Sequence, residues 1–171
     1  NRKWIKECLP KLKSSRNNGI KAIIKNLKFD QIDITTEDIG FKIAPLINAV
    51  GRIGDPNLII DLLTNKSESF VKQLTKKCFA INKERKTITE LVEIDAMNIA
   101  HSEYKIDRKF LVLSKREWHP GIIGIVAARI LEKFNLPTAI ISVAKDGIYR
   151  GSIRSNDLVK VNLALAECKD I

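Results

Sequence analysis

The residues best suited to chemistry lie near the C-terminal end, in the run Arg150, Gly151, Ser152, Ile153, Arg154, Ser155. In an extended strand Ser152 and Arg154 project from the same face. A hydroxyl beside a guanidinium can hold two oxygens of one phosphate, with arginine binding through its planar fork. Gly151 removes a side chain where a ligand's backbone could pass. The same pattern also suits an ordinary edge strand with a polar outer face, and spacing alone leaves both readings open.

A second constellation is Trp118-His119-Pro120-Gly121, with Gly124 close behind. It follows a predicted strand and opens a predicted helix. Pro120 suits a first helical position, where a missing N–H costs nothing. The free amides of such a first turn could hold an anion, with Gly121 and Gly124 allowing close approach. Tight packing of helix on sheet is the other reading of the two glycines, and His119 suits a capping role better than metal ligation. Arg52 is the third candidate. A glycine before it suits a loop that delivers a cation, whereas a helix C-terminus with a dipole-compensating arginine is the alternative.

A metal or acid–base centre finds less support. The two histidines, His101 and His119, stand outside any H-x-x-x-H or H-E-x-x-H pattern. Glu37 and Asp38 are adjacent and point to different helical faces, and Asp30 and Asp33 flank a turn-like stretch without a partner. No Walker-type loop or Ser-His-Asp arrangement occurs. Metal-assisted phosphodiester hydrolysis needs one or two divalent ions on carboxylates or imidazoles, and this sequence supplies no such ligand set.

The elements that must position these residues change character along the chain. Residues 1–66 read as short helices, with Pro10 limiting the first and Asn17-Asn18-Gly19 marking a turn. Thr35 with Glu37 and Asp38 is a helix start. Asp55-Pro56 opens a helix through Leu63. Residues 67–102 read as one long connecting helix capped by Ser67, with Phe70, Leu74, Cys78, Ile81, Ile88, Val92 and Ile99 as its apolar stripe. Residues 103–171 read as α/β: a strand over Lys109–Leu113, a helix over Pro120–Phe134 and a strand over Thr138–Val143. That order is a βαβ unit with parallel strands and a right-handed crossover. Lys145-Asp146-Gly147 is a hairpin signal, so Ile148–Ile153 returns antiparallel and makes the sheet mixed. A last helix carries Leu158, Val161, Leu163, Ala164 and Leu165. The expected fold class is therefore α/β: a helical N-terminal region and long connecting helix, then a mixed-sheet domain with a βαβ unit.

Composition bounds the partners. The 171 residues carry a formal charge of +10, which favours polyanions. Nine Lys/Arg face one Glu in residues 1–28, seven Asp/Glu face three Lys/Arg in 29–70, and six Lys/Arg face two Glu in 71–90. Lysine-rich helices are also simply soluble, so charge alone does not decide. Cys8, Cys78 and Cys168 form no C-x-x-C pair, which suggests reduced thiols, each a small buried hydrophobe, in a cytoplasmic protein. No apolar run reaches the roughly 20 residues of a membrane span. The first residues, Asn1-Arg2-Lys3-Trp4, lack both an initiator Met and the apolar core of a signal peptide, so a piece of a longer protein or a processed product is expected.

Taken together, these segments resemble the RecJ family of single-strand-specific 5′→3′ exonucleases. Leu46 to Ile53 resembles its L-N-A-x-G-R-L segment, and Asn82-Lys83-Glu84-Arg85 its N-x-E-R. Trp118 to Ala127 resembles its W-H-P-G-V-I-G-I-V-A block, Gly151 to Ser155 its G-S-x-R-S, and Asn1-Arg2 the N-R just past its catalytic domain. The resemblance implies a DHH catalytic domain with Mn2+ or Mg2+ outside these residues, and no cofactor within them. It implies that Ser152 and Arg154 hold a 5′-phosphate end and that Arg52 contacts the backbone of single-stranded DNA, in DNA repair or recombination. Residues 1–66 would follow the DHH domain, and 103–171 would be a DHH-associated domain truncated before an F-G-G-H-type segment. Asn156 to Lys160 replaces the family's Gly-containing loop. The fragment alone is expected to be inactive. Two rivals are a phosphoesterase acting on short RNAs or nucleotides, and a non-catalytic nucleic-acid-binding or scaffold relative. The sequence does not fix the oligomeric state.

Overall fold

The computed structural model describes residues 1–29, 33–105, 107–143 and 147–168. Two compact units divide the chain, Asn1–Arg85 and Lys86–Ile171.

The first unit is helical. Helix α1 (Arg2–Cys8) ends before Pro10, and Pro10–Leu12 form a single 3-10 turn. Helix α2 (Asn18–Asn26) is capped by Asn17, whose side chain accepts the Ile20 N–H. The expected start at Thr35 is a capping box on α3 (Thr36–Asp38): Asp38 N–H donates to Thr35 Oγ1, and Asp38 Oδ2 accepts the Thr35 N–H. A π-helical turn, Ile39–Ile43, leads into α4 (Ala44–Ile53). Pro45 explains that wider turn, because its ring would clash with the carbonyl four residues back in a regular helix. Helix α5 (Asn57–Thr64) follows. Ile23, Leu46, Val50, Leu62, Val71, Leu74 and Cys78 form the larger core, and Ile24, Phe29 and Ile34 a smaller one.

Lys42 Nζ donates to Asp38 Oδ1 at 2.7 Å. This bond first, then those from Thr35, lowers the Asp38 pKa to about 2. A carboxylate depressed below its unfolded value of about 3.9 contributes stability above that pH and loses it as pH falls towards the folded value. Thermal melts of Asp38→Asn are expected to lie below wild type at pH 7 and to converge with it between pH 4 and 2. A gap that stays constant across that window would show that Asp38 ionisation is not involved.

Helix α6 (Glu68–Glu103) has 36 residues, and the Phe70 N–H points at Ser67 Oγ at 3.5 Å. Its buried stripe is Val71, Leu74, Thr75 and Cys78, then Thr89, Val92, Ala96 and Ala100. Phe70, expected in the stripe, is exposed. Leu74, Cys78 and Val92 are buried as expected, whereas Val71, Thr89 and Ala100 take the inward positions next to Phe70, Ile88 and Ile99.

The second unit contains the C-terminal part of α6 and a three-stranded sheet, order β1-β2-β3. Strand β1 (Leu111–Lys115) begins two residues later than expected. Its parallel register with β2 (Thr138–Val143) decides this, since Leu111 pairs with Thr138 and its N–H donates to the Pro137 carbonyl. Helix α7 (Ile123–Phe134) is the crossover, and it buries Ile123, Val126, Ala127 and Ile130. Strand β3 (Tyr149–Arg154) pairs antiparallel with β2. The predicted βαβ unit and mixed sheet are thus present. Gly147, at φ +80°, stands just before β3, whereas Lys145 and Asp146 lie outside the described residues. Helix α8 (Val161–Glu167) buries nothing, and Leu158 lies outside it. Of the thiols only Cys78 is buried, and burial pushes its pKa up to about 11. Cys8 and Cys168 are exposed, against expectation, because the elements they terminate, α1 and α8, bury no residue.

Candidate phosphate site

Strand alternation sets the site. On β2, Thr138 and Ile140 face α7 and are fully buried. Their partners on β3 are Arg154 and Ser152, which therefore share that face. Ser152 is half-buried and Arg154 exposed. Arg154 Nη1 donates to Ser152 Oγ at 3.2 Å and to the Ile153 carbonyl at 2.8 Å.

Gly124, the second residue of α7, lies directly beneath these two groups. A Cβ built there would stand 3.0 Å from Ser152 Oγ and 3.1 Å from Arg154 Nη2. The glycine is therefore both a packing residue and the reason the hydroxyl and guanidinium can sit over the helix start. Among the described residues, the Ile123 and Gly124 amides have no backbone acceptor, as first-turn amides of a helix ordinarily do not. Amides, hydroxyl and guanidinium are three kinds of donor at this helix start, with no carboxylate among them. Such a set is complementary to a phosphate dianion.

The helix begins at Ile123, and this corrects the expected start at Pro120. Pro120–Ile122 form a turn instead, because the preceding loop closes on itself. His119 Nδ1 accepts the Gly121 N–H at 3.0 Å, and the His119 carbonyl accepts the Ile122 N–H at 3.1 Å. His119 is thus a local cap, and the Gly121 amide is engaged within the loop. Ser142 Oγ donates to the Trp118 carbonyl at 2.5 Å and ties the loop to β2. The Trp118 ring is buried. Nearby, the Lys115 ammonium donates to Asp95 Oδ2 at 2.6 Å and holds that carboxyl below its ordinary pKa, against partial desolvation.

The remaining candidates fall elsewhere. A Cβ on Gly151 would lie nearest Ile141, on the sheet face opposite Ser152. Ser155 Oγ donates to the Val159 carbonyl at 2.9 Å and closes the loop after β3. Asn156 Oδ1 accepts the Leu158 N–H within that loop. Arg52 sits in the last turn of α4, so of its two readings the helix C-terminus with a dipole-compensating arginine is the one present. It lies in the first unit, beside a shallow cleft with Asn48, Gly51 and Pro56. On α6, Arg85 Nη2 donates to Asn82 Oδ1 at 2.7 Å, one turn apart. The sequence names Gly124 as allowing close approach at this helix start; that Ser152 and Arg154 are the groups above it is decided by packing.

Among the described residues, no group of three or more His, Cys, Asp or Glu side chains could hold a metal ion. The donors present among them do not fit a Mg2+ or Mn2+ centre. No described helix is long and apolar enough to cross a membrane.

Gly124→Ala is expected to displace Ser152 Oγ and the Arg154 fork by a few tenths of an ångström. Both are movable side-chain ends, so thermal stability should hardly change. Anion affinity at the site should fall several-fold, since preorganised donors lose strength as their geometry degrades. Titration with inorganic phosphate followed by NMR shifts at Gly124 and Ser152 measures it, and unchanged affinity would remove the glycine's assigned role.

A helix start, a serine and an arginine around a small mixed sheet define the class: residues 107–170 match the DHHA1 domain family. Over nearly its whole length the chain is similar to a segment of RecJ proteins that contains this domain. It is 30% identical over 164 residues to the single-stranded-DNA-specific exonuclease RecJ of Bacillus subtilis, covering 95% of this chain and 21% of that protein. It is 32% identical over 143 residues to the RecJ of Escherichia coli, covering 80% of this chain and 24% of that one. Among solved structures, RecJ of Thermus thermophilus in complex with Mg2+ superposes with a TM-score of 0.83 at 28% identity, over 99% of this chain and 26% of that one. An exonuclease RecJ bound to manganese superposes at 0.77 with 27% identity, over 97% of this chain and 40% of that one. The chain spans about a quarter of the length of the curated relatives it matches.

Proposed function

We propose that this chain is the strand-holding part of a 5′→3′ exonuclease acting on single-stranded DNA in repair or recombination. Ser152, Arg154 and the first amides of α7 hold the terminal 5′-phosphate. Arg52 and neighbouring basic residues follow the sugar–phosphate backbone. His119 and Gly121 shape the loop that starts α7, while Gly151 and Ser155 keep β3 and its exit in register. Mg2+ or Mn2+ would supply the hydrolytic chemistry on residues other than the described ones, and this segment's own part is to position the strand. The observation that carries the reading is the convergence of Ser152 Oγ and Arg154 Nη2 over Gly124, within 3.0–3.1 Å of its Cβ position.

The test is a pair of titrations of the 171-residue chain with one short single strand, bearing either a 5′-phosphate or a 5′-hydroxyl. The phosphorylated end should bind more tightly. Equal affinity for the two ends would sink the phosphate-site reading.

A further inference from the structure

The first unit contains a groove that the phosphate site does not use. It runs between α2 and the start of α6, with Ala22 and the buried Val71 in its floor. Lys21, Lys25 and Lys28 line one side and Lys72 the other, against a single carboxylate, Glu68. Lys21, Lys25 and Lys28 stand at i, i+4 and i+7, so they share one side of the helix and its end. Among the described residues none of the four side-chain ammonium groups makes an ion pair or hydrogen bond. Four ammonium groups against one carboxylate leave the concavity strongly positive, and a cleft dominated by one sign focuses its field on an incoming anion.

Lys28 supplies a second, independent observation. It occupies the left-handed position just past α2, at φ 58°. The Phe29 N–H bonds the Ile24 carbonyl and the Lys28 N–H the Lys25 carbonyl, as in a Schellman end. Glycine or asparagine ordinarily takes this position, because a Cβ is disfavoured there. A lysine there sacrifices local stability and adds a cation to the groove.

We infer that this groove is a second contact for the nucleic-acid strand, holding its phosphate backbone through Lys21, Lys25, Lys28 and Lys72. The inference rests on the strand-holding function proposed above and adds the residues through which the strand is gripped away from its end. Ammonium groups are point charges without a fork, so the groove attracts any stretch of backbone and reads no sequence.

The experiment measures binding of the full chain to a 5′-hydroxyl single strand as a function of salt. Each phosphate neutralised contributes about 0.7 to the slope of log affinity against log salt. The combined variant Lys21→Gln, Lys25→Gln, Lys28→Gly, Lys72→Gln should lower that slope by about three. A control removing the same charge from the second unit (Lys105→Gln, Lys109→Gln, Lys133→Gln, Lys160→Gln) should lower it by much less. Lys28→Gly alone should weaken binding while raising the melting temperature, a pairing that a merely structural lysine would not give. An unchanged slope in the groove variant, an equal loss in the control, or no strand binding at low salt overturns the proposal. So does a poly-glutamate chain that competes as well as the strand, which would assign the groove to an acidic polypeptide. The preference for a 5′-phosphate over a 5′-hydroxyl should survive in the groove variant. Its absence from the wild-type chain, with the lysine effect intact, would count against the phosphate site alone.

Discussion

Arg154→Ala should abolish most of the preference for a 5′-phosphate, by about 10- to 100-fold in relative affinity. That range corresponds to losing hydrogen bonds to a charged group at roughly 1.5–3 kcal/mol. The structure gives the reason for so large an effect from one exposed residue. Nη1 is occupied by Ser152 Oγ and the Ile153 carbonyl, which fixes the plane of the guanidinium. Nη2 is left over Gly124, beside the first-turn amides of α7. A planar, oriented fork loses little entropy on binding an anion. Lysine at this position keeps the charge and loses the plane, so Arg154→Lys should recover only part of the discrimination. Affinity for a 5′-hydroxyl strand should change little in either variant. The fold should also persist, because no described carboxylate pairs with Arg154. Paired titrations of the two strands, with a thermal melt of each variant, decide it. An Arg154→Ala chain that still favours the phosphorylated end would move the phosphate contact elsewhere.

Gly19→Ala should be the most damaging single methyl in the first unit. A Cβ on Gly19 would lie 2.2 Å from the Leu62 carbonyl oxygen and 2.9 Å from its carbon. Both are backbone atoms of α5 and cannot swing aside as a side chain would. Nor can α5 simply retreat. Asn17 Nδ2 donates to the Leu63 carbonyl at 2.6 Å, and Asn18 Nδ2 to the Lys66 carbonyl at 2.9 Å. Leu62 itself is fully buried against Ile23, Leu46, Val50, Val71, Leu74 and Cys78. Relief therefore requires breaking side-chain anchors or opening the core. Overpacking of this kind costs about 1–3 kcal/mol and more where the backbone must move, so a loss at or above the upper end is expected. Urea unfolding followed by circular dichroism measures it, and an unchanged midpoint would show that α2 and α5 separate without cost. The second unit does not contain Gly19, and its phosphate preference should remain at urea concentrations where it is still folded.

The two variants separate what the sequence conveyed from what folding decided. Local chemistry was legible. Hydrophobic periodicity located the helices, Thr35 with Asp38 marked a start that is a capping box, the strand–helix–strand order gave a parallel pair, and the hairpin signal before Ile148 an antiparallel third strand. Each of these depends on residues within a few positions of one another. The side chains of Ser152 and Arg154 likewise share a face because strand alternation has a period of two. Element boundaries were less legible. Strand β1 starts at Leu111 because pairing with Thr138 sets its register, and α7 starts at Ile123 because His119 and Gly121 close their own loop first. Those are contests between local propensity and partners that a linear pattern does not show.

What joins those groups in each site was decided by tertiary structure. Gly124 and Arg154 are thirty residues apart, and nothing between them signals that one lacks a side chain so that the other can lie above it. The density of lysines in residues 1–28 was visible as charge, yet Lys72 joins Lys21, Lys25 and Lys28 only because α6 runs beside α2. Gly151, adjacent to Ser152 in sequence, faces the other side of the sheet. The sequence by itself thus determined which groups can bind phosphate and which local elements carry them. Only the packing of α7 on β3, and of α2 against α6, decided which of those groups share one volume, because convergence there depends on long-range backbone contacts that local spacing does not encode.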